Sequence, residues 1–241
     1  APAVADEALA RVLVRVSEMV CELPQLREMD INPLIADERG AIAVDARIVL
    51  DPAPVAAGPR YGHMAIMPYP AHLSREARLR DGRSYLLRPI QAEDADRLQP
   101  FTRGLSQQSR YFRFISTLNE LTPRMLVRYT QIDYDRELAL VAVCRNGDDD
   151  RIIGVARYLL NPDRDTCEFA IAVGDDFQGQ GLGTTLMQAL IDEARLRGLK
   201  RMEGYVLAIN APMIQLMRAL GFTIDRDPDD ETLKLVWIAL D

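Results

Sequence analysis

The sequence contains few of the residues on which several common classes of protein depend. Its 241 residues include three cysteines, two histidines and one tryptophan, and aromatic residues make up 6%. The cysteines, Cys21, Cys144 and Cys167, are too few and too widely spaced for a disulfide framework, so we expect reduced thiols and a cytoplasmic location. The longest apolar run, from Leu138 to Cys144, has seven residues, whereas a helix needs about 20 to span a bilayer. The sequence therefore predicts no membrane partner.

The sequence also lacks an excess of positive charge. It has 29 Lys and Arg residues against 36 Asp and Glu residues, so its formal net charge is −7. This balance argues against nucleic acid as a partner, because binding to phosphates depends on basic surfaces. What the chain does have is 48% apolar and 27% charged residues, which is the composition of an ordinary globular protein.

Proline density divides the chain into two folded units. Five of the 14 prolines fall within 19 consecutive residues, beside both histidines, and this density favours an extended connector over residues 53–80. The first unit, residues 1–52, combines an amphipathic helix from Asp6 to about Cys21 with two short apolar runs separated by a turn at Asp37 to Gly40. The second unit, residues 81–241, alternates strand and helix patterns around one predicted central sheet.

A glycine-rich segment between a predicted strand and a predicted helix is the most informative feature of the second unit. It runs from Gln178 to Thr184 and follows the strand Thr166 to Val173. Glycines permit positive φ and close approach of a ligand, and a helix start offers free amides that suit a phosphate. An ordinary turn would also use glycines. The segment fits neither the dinucleotide fingerprint, which needs glycine at Thr184, nor the P-loop, so it indicates another phosphate-bearing cofactor.

The residues of this segment resemble the GNAT superfamily of acetyltransferases. Gln178-x-x-Gly181-x-Gly183 has the superfamily's Gln/Arg-x-x-Gly-x-Gly/Ala form, Asn210 followed by Gly221-Phe222 resembles its later motif, and Arg88-Pro89 resembles its opening. The resemblance covers nearly all of residues 81–241. It implies an α/β (α+β) fold in which a central mixed, mostly antiparallel sheet is flanked by helices, here preceded by the small helix-plus-hairpin unit.

Further stretches resemble one group within the superfamily. LSQQSRYFRF at 105–114 and TQIDYDRELALVAV at 130–143 resemble the Pat-type bacterial protein lysine acetyltransferases, which join an acyl-CoA synthetase-like region to a GNAT domain. In the first unit, EMDINPLIADERGAIAVDARI resembles the tail of the ATP-grasp domain of nucleoside-diphosphate-forming acyl-CoA synthetases. In that family an Asn and an Asp matching Asn32 and Asp45 help hold Mg²⁺. The rest of such a site has no counterpart here, so we expect no metal in this chain and a synthetase-like region upstream of this fragment.

The GNAT resemblance implies how acetyl-CoA binds. The main chain of the last three residues of the predicted strand is expected to pair with the pantetheine arm, and the amides of the loop are expected to meet the diphosphate. The family often has basic side chains where Thr184 and Thr185 stand, so the partner of the 3′-phosphate is left open. Asp175 and Asp176, just before the loop, are interpreted as a solvated turn. The expected cofactor-binding residues are Ile171, Ala172, Val173, Gln178, Gly179, Gln180, Gly181, Leu182, Gly183, Thr184 and Asn210.

Transfer of an acetyl group to lysine requires a base, because the pKa of a lysine amine lies about 3.4 units above neutral pH. Both histidines lie in the connector, so the candidate base is Glu168, which stands among apolar residues that would raise the pKa of its carboxyl group. It also resembles the catalytic glutamate of Pat-type enzymes, ten residues before Gln178. The alternative is an exposed carboxylate at a strand start. Cys167 is interpreted as a buried structural cysteine rather than a nucleophile, since the second unit has no histidine to activate it.

The acid that would protonate the departing thiolate is not assigned. Many GNAT enzymes place a tyrosine seven residues after the motif asparagine, where this sequence has Met217. The function predicted from the resemblance is transfer of an acetyl group from acetyl-CoA to a lysine of a protein, such as an AMP-forming acyl-CoA synthetase, by direct attack with Glu168 as general base. The alternatives are acetylation of a small amine and a non-catalytic acyl-CoA sensor.

Overall fold

The computed structural model of the chain describes residues 6–53, 61, 63–64, 66–146 and 149–240. It separates the chain into two units, with the division after Pro68. Part of the predicted connector at 53–80 belongs to the second unit, because Arg75–Arg78 forms a strand in the sheet of that unit. The connector residues Pro54 and Pro59 lie outside the described residues.

The first unit consists of a helix followed by four short strands. In chain order these are α1 (Asp6–Glu22), β1 (Leu26–Ile31), β2 (Leu34–Asp37), β3 (Gly40–Ala43) and β4 (Ala46–Leu50). The predicted helix and turn are confirmed, since β2 and β3 pair across a turn in which the Asp37 carboxylate accepts hydrogen bonds from the amides of Arg39 (2.7 Å) and Gly40 (3.1 Å). Each predicted apolar run is broken into two strands, because β1 and β4 form a separate antiparallel pair.

The second unit is built on a mixed sheet of eight strands among the described residues. The order across the sheet is β11-β12-β10-β9-β8-β7-β6-β5. Only β9 and β10 are parallel within it, which confirms the predicted mixed, mostly antiparallel sheet. The strands are β5 (Arg75–Arg78), β6 (Ser84–Pro89), β7 (Glu137–Asn146), β8 (Asp149–Leu160), β9 (Thr166–Val173), β10 (Arg201–Leu207), β11 (Thr223–Arg226) and β12 (Leu233–Ala239).

Helices cover both faces of this sheet. They are α2 (Ala95–Gly104), α3 (Gln107–Phe114), α4 (Pro123–Thr130), α5 (Leu182–Leu196) and α6 (Ala211–Ala219). Because side chains alternate along a strand, Gly154 of β8 faces the leucines of α5, while Val155 packs on the other face in a cluster with Leu98 of α2. No helix in the described part of the chain is long and apolar enough to cross a membrane.

The start and end of several helices follow from local sequence signals. Thr122 caps α4 by accepting a hydrogen bond from the amide of Met125 (3.2 Å), and Gly198 follows α5 with φ 74°, both as expected from the sequence. The buried side of α5 also matches the predicted one. The predicted residues Leu182, Leu186, Met187, Leu190, Ile191 and Ala194 are all buried, and Glu193 is buried in addition.

A buried ion pair joins β6 to the beginning of α2. Arg88 donates two hydrogen bonds to Asp94, at 2.6 Å from Nη1 to Oδ2 and 2.7 Å from Nη2 to Oδ1, and the Asp94 side chain is 0% exposed. The amide of Gln91 donates to the same carboxylate at 2.8 Å. The hydrogen bonds from Arg88 to Asp94 raise the pKa of the Arg88 guanidinium group, and burial acts in the opposite direction. The Arg88-Pro89 motif therefore serves the packing of the second unit.

Candidate active site

The sheet opens where β9 and β10 separate. The two strands pair only from Thr166 opposite Arg201 to Glu168 opposite Glu203, although β9 continues to Val173. On its other edge β9 stays paired with β8 as far as Val173. Among the described residues, the last residues of β9 consequently present an edge without a strand partner, where the GNAT resemblance leads us to expect the pantetheine arm.

A cavity of about 990 Å³ lies at this opening. It extends from the end of β9 to the glycine-rich loop on one side and to α3, α6 and the β11–β12 connection on the others. Most of the residues expected to bind the cofactor or to catalyse lie in its wall. Those that do are Glu168, Ile171, Ala172, Val173, Gln178, Gly179, Gly181, Gly183, Thr184 and Asn210.

The loop leaves its amides available at the cavity. Gly179 and Gly181 have φ values of 72° and 84°, a conformation that side chains disfavour. Gly181 is the N-cap of α5 and supplies no capping side chain, and the first helical hydrogen bond runs from the amide of Thr185 to the oxygen of Gly181 (3.1 Å). The preceding amides have no acceptor within the helix and carry the partial positive charge of a helix start. This geometry suits an anionic group.

Three of the expected cofactor-binding residues can contribute only through their main chain, which is the role predicted for the loop amides. Gln180 and Leu182 do not line the cavity, and Leu182 is buried at 1% exposure on the core side of α5, as its helical pattern predicted. Gly183 lines the cavity and packs closely on α6, because a Cβ at this position would lie 3.2 Å from the Leu216 side chain.

The two polar residues of the motif have structural contacts of their own. The side chain of Asn210 caps α6 by accepting a hydrogen bond from the amide of Met213 (3.2 Å). Gln178 reaches from the loop to the carbonyl of Val173, with 3.4 Å between Nε2 and the oxygen. Both residues also lie at the cavity wall.

Asp175 is exposed, as the sequence suggested, but it is more than a solvated turn residue. Its carboxylate accepts hydrogen bonds from the amide of Ser106 (2.8 Å), the Ser106 hydroxyl (2.9 Å) and the Ser109 hydroxyl (2.7 Å). Burial raises the pKa of Asp175, but these hydrogen bonds more than offset that effect and leave the pKa below its ordinary value. Asp175 thus fastens the start of α3, whose N-cap is Ser106, to the end of β9.

Replacing Asp175 by Ala is expected to lower the free energy of unfolding by about 1–3 kcal/mol, the usual effect of losing hydrogen bonds to a charged group. The neighbouring Asp176→Ala is the matched control and is expected to stay within about 0.5 kcal/mol of the parent. Because the pKa of Asp175 is lowered on folding, its stabilisation is complete above about pH 4 and is lost as the pH falls further. Urea unfolding at several pH values measures both effects, and equal losses in the two variants would contradict the assignment.

The expected burial of Glu168 is wrong. Its side chain is exposed at the cavity wall, whereas its neighbours Cys167 and Phe169 point into the core at 0% and 4% exposure. Alternation along the strand explains the difference, since an isolated polar residue between two apolar ones points to the opposite face. The carboxylate is therefore open to a substrate that enters the cavity.

Arg113 of α3 is a site residue that the sequence did not reveal. It lines the cavity, and burial lowers the pKa of its guanidinium group, while the charges of Tyr129 and Glu168 act in the opposite direction. Tyr205, 47% exposed on β10, lines the same cavity. Arg113 lies in the stretch 105–114 that resembles the Pat-type enzymes, but no sequence pattern assigns it a role, and it reaches the site only through the packing of α3 on β9. Tyr205 belongs to no recognised motif.

Cys167 and Met217, two residues considered in the sequence analysis, are both packed in the core. Burial raises the pKa of Cys167 to about 12, so its thiol is a poor nucleophile and the structural interpretation is confirmed. Met217, at the position where many relatives carry tyrosine, is 0% exposed and does not line the cavity. Among the described residues, no group of three or more His, Cys, Asp or Glu side chains is arranged to hold a metal ion.

The mixed sheet with its opening between β9 and β10 is the fold of a class of group-transfer enzymes. Residues 107–222 match the acetyltransferase (GNAT) family, and residues 1–50 match the ATP-grasp domain. The chain is 40% identical over 162 residues to acetyltransferase PA5475 of Pseudomonas aeruginosa, across 67% of this chain and 87% of that protein. The chain therefore belongs to the GNAT family of acetyltransferases and uses acetyl-CoA.

Two further comparisons concern proteins named Pat. The chain is 33% identical over 144 residues to acetyltransferase Pat of Mycolicibacterium smegmatis, across 59% of this chain and 42% of that protein. It thus spans less than half the length of that relative. The solved GNAT domain of S. lividans PAT superimposes with a TM-score of 0.65 at 29% identity, covering 71% of this chain and 99% of that domain.

Proposed function

We propose that this chain transfers the acetyl group of acetyl-CoA to the ε-amine of a lysine on another protein, such as an AMP-forming acyl-CoA synthetase. The observation that carries the proposal is that Glu168 and the loop at 178–184 lie at one cavity, where β9 and β10 separate. The main chain of Ile171 to Val173 pairs with the pantetheine amides, and the amides from Gly179 to Thr184 face the diphosphate. This arrangement directs the thioester toward Glu168.

Glu168 supplies the base that direct attack requires. It accepts a proton from the lysine ammonium, directly or through a water molecule, and the neutral amine then forms a bond to the thioester carbonyl carbon. As the carbon–sulfur bond breaks, CoA leaves as a thiolate and takes the second proton from the amine nitrogen or from solvent. A thiol pKa of about 8.5 makes this leaving group competent near neutral pH, which agrees with the absence of an acid at buried Met217.

The negative charge of the cavity wall and the similarity to Pat both support a lysine as the acceptor. Asp227, Asp229 and Asp230 line the same cavity as Glu168, and carboxylates attract an acceptor that arrives as an ammonium ion. The Pat-type resemblance and the ATP-grasp match at residues 1–50 together support the coupling of a synthetase-like region to a GNAT domain. A synthetase is therefore the protein substrate that we favour.

The direct test is incubation with radiolabelled acetyl-CoA and an AMP-forming acyl-CoA synthetase, followed by peptide mapping. Label on a synthetase lysine is the expected result. Label that appears only on added polyamines or amino acids would instead establish a small-amine acetyltransferase. Tight binding of acetyl-CoA without any transfer would establish a sensor.

Replacing Gly181 by Ala is expected to weaken acetyl-CoA binding about 10-fold. The residue has φ 84°, where a Cβ costs about 1–2 kcal/mol, and relief of that strain turns the loop amides away from the diphosphate. Gly198→Ala is the matched control, because Gly198 has a similar φ of 74° but lies at the other end of α5, away from the cavity. Calorimetric titration checks this prediction, and an equal change in the two variants would contradict it.

A further inference from the structure

The nucleotide end of acetyl-CoA presents a charge that the loop does not neutralise. Its diphosphate and 3′-phosphate carry about four negative charges near neutral pH. Residues 178–185 include no Lys or Arg, and Asp175 and Asp176 stand immediately before them. Free amides contribute only partial charges, so a cation from another part of the chain is needed.

The turn between β5 and β6 places an arginine next to the glycine-rich loop. The turn is closed by hydrogen bonds from the amide of Leu79 to the oxygen of Arg83 (2.9 Å) and from the amide of Gly82 to the oxygen of Leu79 (3.0 Å). Gly82 has φ 90°, and Leu79 is 4% exposed and anchors the turn in the core. Arg80, next to Leu79, is consequently held at the surface in a fixed position.

Arg80 contacts the glycine-rich loop through both its main chain and its side chain. Its amide donates to the oxygen of Gln180 (3.2 Å), and Nη1 donates to the oxygen of Gly179 (3.3 Å). A Cβ placed on Gly181 would lie 3.7 Å from Nε of Arg80, which shows that the guanidinium stem passes beside that glycine. The side chain lines the same cavity as the loop.

The charge of Arg80 is not balanced by a nearby acid. Within the described ranges no carboxylate lies within 4.0 Å of its guanidinium group, and the adjacent Asp81 is bound by Arg83 at 2.7 and 2.9 Å. A guanidinium group has five N–H donors, and one is used by the oxygen of Gly179. The others are free to meet an anion at the loop.

We infer that Arg80 binds a phosphate group of acetyl-CoA and supplies the positive charge that the loop lacks. The inference rests on the proposed binding of the nucleotide end at residues 179–184. Arginine suits this role because its planar fork matches phosphate geometry with two parallel hydrogen bonds. The hydroxyls of Thr184 and Thr185 then need only contribute hydrogen bonds.

Arg80→Gln, Arg80→Lys and the control Arg78→Gln test the inference. Arg78 lies on β5 and does not line the cavity. Dissociation constants are measured by calorimetry for acetyl-CoA and 3′-dephospho-acetyl-CoA, and by displacement of acetyl-CoA for acetyl-pantetheine, which has no phosphate. No acceptor is present, so the result does not depend on whether the substrate is a protein.

Arg80→Gln is expected to weaken acetyl-CoA binding at least ~10-fold, the effect of one lost charge-assisted hydrogen bond, and to leave acetyl-pantetheine binding unchanged. Arg80→Lys is expected to retain most of the affinity, and Arg78→Gln all of it. A loss that persists with the dephospho compound assigns Arg80 to the diphosphate, and a loss that disappears assigns it to the 3′-phosphate. Two results would overturn the inference. Equal losses of affinity for acetyl-CoA and acetyl-pantetheine would show that Arg80 only supports the loop. An unchanged affinity for acetyl-CoA would show that Arg80 does not bind a phosphate.

Discussion

Replacing Glu168 by Gln is expected to slow acetyl transfer at least ~100-fold, which corresponds to about 2.7 kcal/mol in the activation free energy. The amide cannot accept the proton of the lysine ammonium, but it has nearly the same size and hydrogen-bonding reach. The dissociation constant for acetyl-CoA is therefore expected to stay the same. Single-turnover transfer and calorimetric binding, measured on the same preparation, separate the two effects.

Glu203→Gln is the matched control for this variant. Glu203 stands opposite Glu168 at the last pair of the parallel ladder, but its carboxylate binds Arg201 (2.9 Å) and Asn161 (3.3 Å) and does not line the cavity. It is expected to change the rate less than twofold. Unchanged turnover in Glu168→Gln would remove Glu168 from the mechanism, and equal losses in both variants would indicate a general effect of charge at this end of the sheet.

Replacing Asp94 by Ala is expected to lower the free energy of unfolding by about 3–5 kcal/mol, because it leaves the nearly buried guanidinium of Arg88 without its partner. Asp94 is 0% exposed and also accepts a hydrogen bond from the amide of Gln91. Arg97, with 3.6 Å between its Nη1 and Oδ1 of Asp94, loses the same partner, and as a cation it cannot take the place of the carboxylate. Denaturant unfolding of the second unit measures the loss.

Two controls define the origin of this loss. Asp96→Ala removes an exposed acid from the first turn of α2 and is expected to change the unfolding free energy by less than about 0.5 kcal/mol. The double variant Arg88→Met/Asp94→Leu removes both charges and is expected to recover much of the stability. A small loss in Asp94→Ala alone would contradict the assignment of a buried, mutually dependent pair.

The local part of the structure could be predicted from the sequence. The start of α4 at Thr122-Pro123, the end of α5 at Gly198 and the buried side of α5 each depend on residues a few positions apart. The glycine-rich loop is also expected from the sequence, since its residues lie in one stretch of chain between β9 and α5, whereas the pantetheine site at the end of β9 is implied only by the GNAT resemblance. Capping, turn and periodicity rules act over this range.

The features that could not be predicted from the sequence depend on contacts between segments that are distant in the chain. Ser106 and Asp175 are far apart in the chain, and so are Arg80 and Gly179, so no local pattern reveals that these residues meet. No periodic pattern predicts α3, because its sequence QQSRYFRF is polar and short. The apolar neighbours of Glu168 suggest burial, but in a strand they point to the opposite face, so they do not form its surroundings.

A crystal structure of the chain with acetyl-CoA bound would test the central claim most directly. We expect the pantetheine arm along the open edge of β9 at Ile171 to Val173, the diphosphate at the amides between Gly179 and Thr184, and the thioester turned toward the Glu168 carboxylate. Acetyl-CoA bound elsewhere, or bound here with its thioester directed away from Glu168, would contradict the claim.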